Sequence, residues 1–252
     1  MAISIRLWLR HLEIGLIMRI IMGRYFKKSL VVLWFAVLSL PVSAQRGTDP
    51  TVWDGAMERF AEQDRMNPPP MGAILLTGSS SIARWNDQAA KALAPLTVIA
   101  RGFGGSMMSD VAYHLDTVAL KYKPRAILIY EGDNDTFYGV AEKEIIGSLE
   151  KIVDKVHQKL PDTRIYLMAV KPSTSRVSVW ENAQRVNAGY KEIAKHDPQV
   201  YFIDSATPFL KSDGNVMTDI FVEDGLHLNP MGNLIWGSII RAALMPQEAR
   251  YE

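Results

Sequence analysis

A chain of 252 residues that is 48% apolar can bury one substantial hydrophobic core. It contains no cysteine, which excludes disulfides, thiolate metal sites and a cysteine nucleophile. The first 44 residues hold six of the 28 lysines and arginines and one of the 27 acids, so residues 45–252 carry a formal net charge of −4. These residues contain no basic run interleaved with aromatic residues, so nucleic acid is not an expected partner.

Residues 22–44 have the three parts of a secretory signal peptide. The basic stretch MGRYFKK is followed by the apolar stretch SLVVLWFAVLSL and by a small-x-small end, VSA. We therefore predict translation from Met22, residues 1–21 as an N-terminal extension, cleavage after Ala44, and an exported (periplasmic or secreted) domain of residues 45–252. The apolar stretch is short for a membrane span, so an uncleaved membrane anchor is the alternative, and no stable membrane insertion is expected after cleavage.

After the leader, the pattern predicts alternating helices and strands. Thr51 to Met66 is a predicted helix, which three prolines follow. The clearest later helix runs from Glu142 to Leu160. Five short apolar runs without strict alternation predict strands that are covered on both faces, as in a parallel sheet. They are AILLTG from Ala73, LTVIARG from Leu96, AILIYEG from Ala126, RIYLMAV from Arg164 and VYFIDS from Val200.

The spacing of these runs indicates the fold class. Their starts are 23 to 38 residues apart, which suits right-handed βαβ units. We predict a single α/β domain, a three-layer α/β/α sandwich with a five-stranded parallel sheet. Ligands of such sheets bind beyond the carboxyl ends of the strands, so the loops there are expected to face one another.

Four of these loops carry polar residues, and their combination suits acyl transfer to a serine. Such a reaction needs a nucleophile, a base, an acid that orients the base, and donors for the oxyanion. Each loop alone is weak evidence for catalysis, because serines commonly cap helices and glycines commonly form turns. The loops are GSSSI from Gly78, RGFGGS from Arg101, GDND from Gly132 and EDGLHLNP from Glu223.

His227 is the predicted base. It follows Asp224 by three residues in a loop that contains glycine, so carboxylate and imidazole can lie on the same side of a turn. One ring nitrogen can then donate to Asp224 while the other accepts a proton. The remaining histidines precede the mature start or lie in helical patterns: His11, His114, His157 and His196.

The four blocks resemble those of the GDSL-like (SGNH) lipase and esterase family, over residues 72 to about 244. The resemblance places Ser80 on the nucleophile, Gly105 and Asn134 on the second-block glycine and third-block asparagine, and Asp224 and His227 on the fifth block. It implies a flavodoxin-like sheet and ester hydrolysis without a metal or cofactor. It further implies an oxyanion hole formed by the backbone N–H groups of Ser80 and Gly105 and the amide of Asn134.

Two positions depart from the family pattern. Ser79 stands where aspartate is more usual, and Ala100 stands where many members have an asparagine that helps to fix the second-block loop. Asp133 and Asp135 are interpreted as loop-bracing carboxylates, with Asp135 tying its loop to a neighbour. Ser81 is expected to cap the helix that follows the serines.

The expected partner is a small-molecule ester or an acylated sugar. No long apolar lid segment is evident, which favours short acyl or acetyl esters over long-chain lipids. Substrate contacts are expected from residues 171–176 and from Phe137 and Tyr138, although an ordinary loop is an equal alternative for these residues. Acyl transfer to sugars would use the same catalytic residues.

Two further alternatives remain at this point. One is a non-catalytic carbohydrate-binding module with this fold. The other is a metal-dependent phosphoesterase with Asp133, Asp135, Asp224 and His227 as ligands, although such sites usually draw on several histidines.

Overall fold

The five apolar runs form one parallel sheet in a computed structural model that describes residues 49–252. The predicted leader and its cleavage site lie outside the described residues and stay predictions. The strands are β1 (Ile74–Gly78), β2 (Val98–Gly102), β3 (Ala126–Tyr130), β4 (Arg164–Met168) and β5 (Val200–Ile203). All neighbouring strands are parallel, in the order β2-β1-β3-β4-β5. This is the flavodoxin-like order, and it confirms the predicted fold class.

Helices connect the strands along the described part of the chain. They are α1 (Asp54–Met66), α2 (Ser80–Ala83), α3 (Ala89–Ala92), α4 (Met108–Val118), α5 (Asp133–Phe137), α6 (Glu142–Lys159), α7 (Trp180–His196) and α8 (Pro230–Glu248). The first helix begins at Asp54 and not at Thr51 as predicted, because Pro50–Trp53 forms a 3-10 turn. The backbone N–H of Thr51 in this turn donates to the side chain of Asp49.

Two apolar clusters cover the two faces of the sheet. Alternate residues of each strand enter opposite clusters: Leu75 packs toward α1, α4, α6 and α7, and Leu76 packs toward α2, α3 and α8. Every residue of the central strands β1 and β3 is buried. This double coverage explains why the strand sequences show no alternation of apolar and polar residues.

Glu248 ties the end of α8 to the amino-terminal edge of the sheet. Its fully buried carboxylate accepts hydrogen bonds from the guanidinium groups of Arg125 (3.1 Å) and Arg164 (2.6 and 2.9 Å) and from the Tyr166 hydroxyl (2.7 Å). Burial acts to raise the pKa of Glu248, but these donors outweigh it and lower the pKa. The carboxylate therefore compensates two cations that lie at the start of β3 and β4.

The substitution Glu248→Gln is expected to lower the free energy of unfolding by about 3–5 kcal/mol, because it leaves the largely buried guanidinium of Arg164 without its paired carboxylate and leaves Arg125 with Glu252 alone. Urea unfolding measures the change. Glu192→Gln is the matched control, since Glu192 pairs with Lys195 on the exposed surface of α7 and is expected to change stability by less than about 1 kcal/mol. Equal effects of the two substitutions would contradict this interpretation.

Candidate active site

The turn after β1 places Ser80 at the carboxyl edge of the sheet. Gly78 ends the strand with φ of +136°, and a Cβ atom there would lie 2.1 Å from the carbonyl oxygen of Tyr130. Only glycine fits this close approach. Ser79 follows in an extended conformation, its N–H donates to Tyr130 O (3.2 Å), and α2 begins at Ser80.

Ser79, and not Ser81, precedes the helix, so the expectation that Ser81 caps it is wrong. Ser81 is the second residue of α2. The side chain of Ser79 makes no capping bond either. Its hydroxyl instead accepts a hydrogen bond of 2.6 Å from the amide Nδ2 of Asn134. The residue that departs from the family pattern therefore contacts the third-block loop directly.

Ser80, His227 and Asp224 lie in one hydrogen-bonded row. The Nε2 atom of His227 is 2.8 Å from Ser80 Oγ, and its Nδ1 atom is 2.6 Å from Asp224 Oδ2. The other oxygen of Asp224 accepts hydrogen bonds of 2.9 Å from the backbone N–H groups of Leu226 and His227. These bonds fix the carboxylate relative to the ring, as a base and its orienting acid require.

Electrostatics keep Asp224 ionised. Partial burial acts to raise the pKa of Asp224, but the His227 ring and the backbone donors of His227 and Leu226 hold it well below the ordinary aspartate value. An ionised carboxylate can only accept a hydrogen bond. The proton between Asp224 and His227 therefore sits on Nδ1, which leaves Nε2 as the hydrogen-bond acceptor that faces Ser80 Oγ.

Residues of the loop after β4 donate hydrogen bonds to the backbone of the loop that carries His227. The expectation that Lys171 contacts substrate is therefore wrong. Lys171, predicted as a substrate contact, is 1% exposed, and its ammonium donates to the backbone oxygen of Leu226 (2.9 Å). Burial lowers the pKa of Lys171, while the charge of Asp133 opposes that change. Thr174 Oγ1 also donates to the carbonyl oxygen of Gly225 (3.0 Å). Phe137 is exposed and Tyr138 half-buried beside Asn134, so both remain candidates for substrate contact.

Asn134 lies at the centre of the site, and all its amide atoms have partners. Besides the bond to Ser79, Nδ2 donates to the carbonyl oxygen of Ser106 (2.9 Å). Its Oδ1 accepts from Nη2 of Arg176 (3.4 Å). Asn134 can therefore donate to a substrate only by giving up one of its two present acceptors.

The second-block loop is braced by residues that the sequence reasoning missed. Ala100 supplies no side-chain hydrogen bond, but the Asn86 amide bonds to both the N–H (2.9 Å) and the C=O (3.0 Å) of Gly102. The Ser106 hydroxyl donates to the fully buried Glu131. Gly105 has φ of +93° and lies against the ring of Trp53. In the sequence, the contact between Ser106 and Glu131 is signalled only by the presence of an acid, Glu131, within the apolar run AILIYEG.

Asp135 ties the third-block loop to the second, as predicted. Its carboxylate accepts from the backbone N–H groups of Met108 (3.0 Å) and Gly132 (3.1 Å). Asp133 lies 3.8 Å from the Lys171 ammonium and 4.0 Å from the Arg176 guanidinium. Within residues 49–252, no three histidine or acidic side chains converge closely enough to hold a metal ion.

Asp135 is expected to make stability depend on pH. Burial raises the pKa of Asp135 to about 6, although backbone donors oppose this, against 3.8 for an ordinary aspartate. The pKa of Asp135 is higher in the folded than in the unfolded state. The contribution of Asp135 to the free energy of unfolding is therefore fully present below pH 3.8, the pKa of the unfolded state, and is lost as the pH rises through about 6. From about pH 4 to pH 7, the stability of Asp135→Asn should therefore improve relative to the wild type by on the order of 3 kcal/mol.

Urea unfolding at both pH values measures this difference. Asp116→Asn is the control, since Asp116 lies on the exposed surface and pairs with Lys155. It is expected to show a much smaller change with pH. A constant difference between Asp135→Asn and the wild type would show that burial does not penalise the ionised carboxylate.

Comparison with known proteins shows the family and the fold. The sequence model of the GDSL-like Lipase/Acylhydrolase family matches residues 66–235. The chain is 26% identical over 141 residues to the platelet-activating factor acetylhydrolase IB subunit alpha1 of Bos taurus, a match that covers 55% of this chain and 59% of the relative. It thus spans less than two thirds of that relative's length.

Two solved structures share the fold. A GDSL-like lipase from Bacteroides thetaiotaomicron matches with a TM-score of 0.65 at 17% identity, over 75% of this chain and 97% of that one. A catalytic mutant of an acetylxylan esterase from Geobacillus stearothermophilus matches with a TM-score of 0.58 at 15% identity, over 70% and 95%. Among the described residues, no helix combines the length and hydrophobicity needed to cross a bilayer.

Proposed function

Because the chain belongs to the GDSL-like lipase/acylhydrolase family, we propose that it is an ester-hydrolysing enzyme that cleaves short acyl or acetyl esters through an acyl-enzyme on Ser80. The observation that carries this proposal is the double engagement of His227, 2.8 Å from Ser80 Oγ and 2.6 Å from Asp224 Oδ2. A histidine held between a hydroxyl and an ionised carboxylate is the arrangement that activates a serine.

In the first half-reaction, Ser80 Oγ bonds to the ester carbonyl carbon while its proton passes to Nε2 of His227. The carbonyl oxygen becomes the oxyanion. When the C–O bond to the alcohol breaks, the alcohol takes the proton from Nε2 and leaves. In the second half-reaction, water attacks the acyl-enzyme and gives a proton to Nε2. That proton returns to Ser80 Oγ as the carboxylic acid departs.

The oxyanion would be held by the N–H groups of Ser80 and Gly105 and by the Asn134 amide. Ser80 is the first residue of α2, and the first amides of a helix have no partner within it. Asn134 Nδ2 now donates to the neutral Ser79 hydroxyl and to the carbonyl oxygen of Ser106. Hydrogen bonds to a charged acceptor are roughly twice as strong, so an oxyanion would draw one N–H away from the hydroxyl.

The names of two similar proteins favour a small acyl group. One is named as an acetylhydrolase and the other as an acetylxylan esterase.

A substrate panel on residues 45–252 tests the proposal. We expect p-nitrophenyl acetate and acetylated xylo-oligosaccharides to release acid, with kcat/KM falling as the acyl chain lengthens, in the presence of EDTA. The released products separate hydrolysis from acyl transfer to a sugar. Turnover that grows with chain length would contradict the acyl preference, and loss of turnover in EDTA would favour a metal-dependent reaction.

A further inference from the structure

Arg176 lies beside Asn134 in the 3-10 segment Thr174–Val179 that follows β4. Its guanidinium is stacked on the Phe137 ring, 3.6 Å from the ring centroid, and Nη2 is 3.4 Å from Asn134 Oδ1. The side chain is only 13% exposed. The stacking fixes the plane of the guanidinium, and one edge of that plane faces the amide.

The charge of Arg176 is only partly compensated. Its nearest carboxylate, Asp133, is 4.0 Å from Nε and also faces the buried ammonium of Lys171 at 3.8 Å. Nη1 is buried and has no hydrogen-bond acceptor among residues 49–252. Burying a cation without full compensation costs folding free energy. Positive charge therefore remains beside the amide that is proposed to face the oxyanion.

We infer that Arg176 is a positioning residue of the oxyanion hole. Nη2 holds Oδ1 of Asn134, which fixes the amide so that Nδ2 points toward Ser79 and the carbonyl oxygen of Ser106. The guanidinium also polarises the amide, so its N–H groups become better donors as negative charge develops on the substrate. This inference rests on the proposed function, because it assigns Arg176 an effect only through Asn134.

A lysine cannot replace this arrangement. The guanidinium is planar, stacks on an aromatic ring and presents several donors in a fixed fork, whereas an ammonium is a compact, strongly hydrated point charge. Arg176→Lys therefore keeps the charge but loses the fixed orientation. Arg176→Met keeps an apolar stem over Phe137 and loses both the charge and the hydrogen bond.

Arg176→Met is expected to lower kcat for p-nitrophenyl acetate by roughly tenfold to a hundredfold, less than the loss of an oxyanion donor itself, while KM changes by less than about threefold. Arg176→Lys is expected to fall between this variant and the wild type. Arg185→Met is the matched control, because Arg185 is an exposed arginine on α7 that pairs with Glu181. It is expected to retain the wild-type kcat.

Combination with Asn134→Ala separates this inference from a general structural effect. If Arg176 acts through Asn134, Arg176→Met should cost less than about threefold in kcat when Asn134 is already alanine. An equal loss in both backgrounds, or no loss in either, would overturn the inference. Should Arg176→Met fail to show the wild-type thermal transition, Arg176→Lys in the same two backgrounds decides the question. Failure of the proposed function is distinguishable, since the wild type would then show no turnover above Ser80→Ala.

Discussion

Ser80→Ala is expected to reduce the hydrolysis of p-nitrophenyl acetate by roughly four to six orders of magnitude, while the protein keeps its fold. The substitution removes the hydroxyl that lies 2.8 Å from His227 Nε2, and alanine has no nucleophilic atom with which to form an acyl-enzyme. The structural cost is small, because among residues 49–252 the hydroxyl of Ser80 makes a hydrogen bond only to His227. Steady-state kinetics and the thermal unfolding transition measure the two effects.

Ser81→Ala is the matched control for this prediction. Ser81 is the next residue of α2, and its side chain makes no hydrogen bond to the described residues. It should keep the wild-type rate. A fluorophosphonate probe should add its mass to the wild type and to Ser81→Ala, but not to Ser80→Ala. Turnover that survives Ser80→Ala and disappears in Ser79→Ala or Ser81→Ala would contradict the assignment of the nucleophile.

The fold could be predicted because its signals are local. Buried parallel strands give continuous apolar runs, and the spacing between them suits one helix, so β1 to β5 appear as AILLTG, LTVIARG, AILIYEG, RIYLMAV and VYFIDS. The fold then brings the four polar loops to one edge of the sheet. The hydrogen bonds from Asn134 to Ser79 and from Ser80 to His227 join three of these loops, as expected from the carboxyl ends of parallel strands.

The supporting contacts could not be predicted, because they join residues far apart in the chain whose pairing no periodicity records. Asn86 braces Gly102 across 16 residues, and Arg176 reaches Asn134 across 42. The prediction that Lys171 contacts substrate was wrong because a lysine in a polar loop is normally exposed, whereas Lys171 is buried. The expectation for Ser81 was wrong because the helix begins two residues earlier than a cap at Ser81 requires.

Asp224→Asn is expected to lower kcat by roughly 10³ to 10⁴ while leaving the fold intact. The reason lies in the two oxygens of Asp224. Oδ1 accepts from the backbone N–H groups of Leu226 and His227, and Oδ2 faces Nδ1 of His227. In the variant, the amide oxygen has to occupy the position of Oδ1, because only an oxygen can accept those two donors. The amide NH₂ then faces Nδ1 and donates to it.

A donor opposite Nδ1 forces the imidazole into the tautomer that carries its proton on Nε2, where it can no longer accept the proton of Ser80. The expected loss is therefore in kcat, with little change in thermal stability. Asp213→Asn is the matched control, because Asp213 Oδ1 accepts from the N–H of Asn215, two residues on, as Asp224 Oδ1 does from Leu226, but Asp213 makes no hydrogen bond or ion pair with His227. It is expected to keep the wild-type kcat. If Asp224→Asn kept more than about a tenth of the wild-type kcat, Asp224 would not set the tautomer of His227, and the base would need another orienting group.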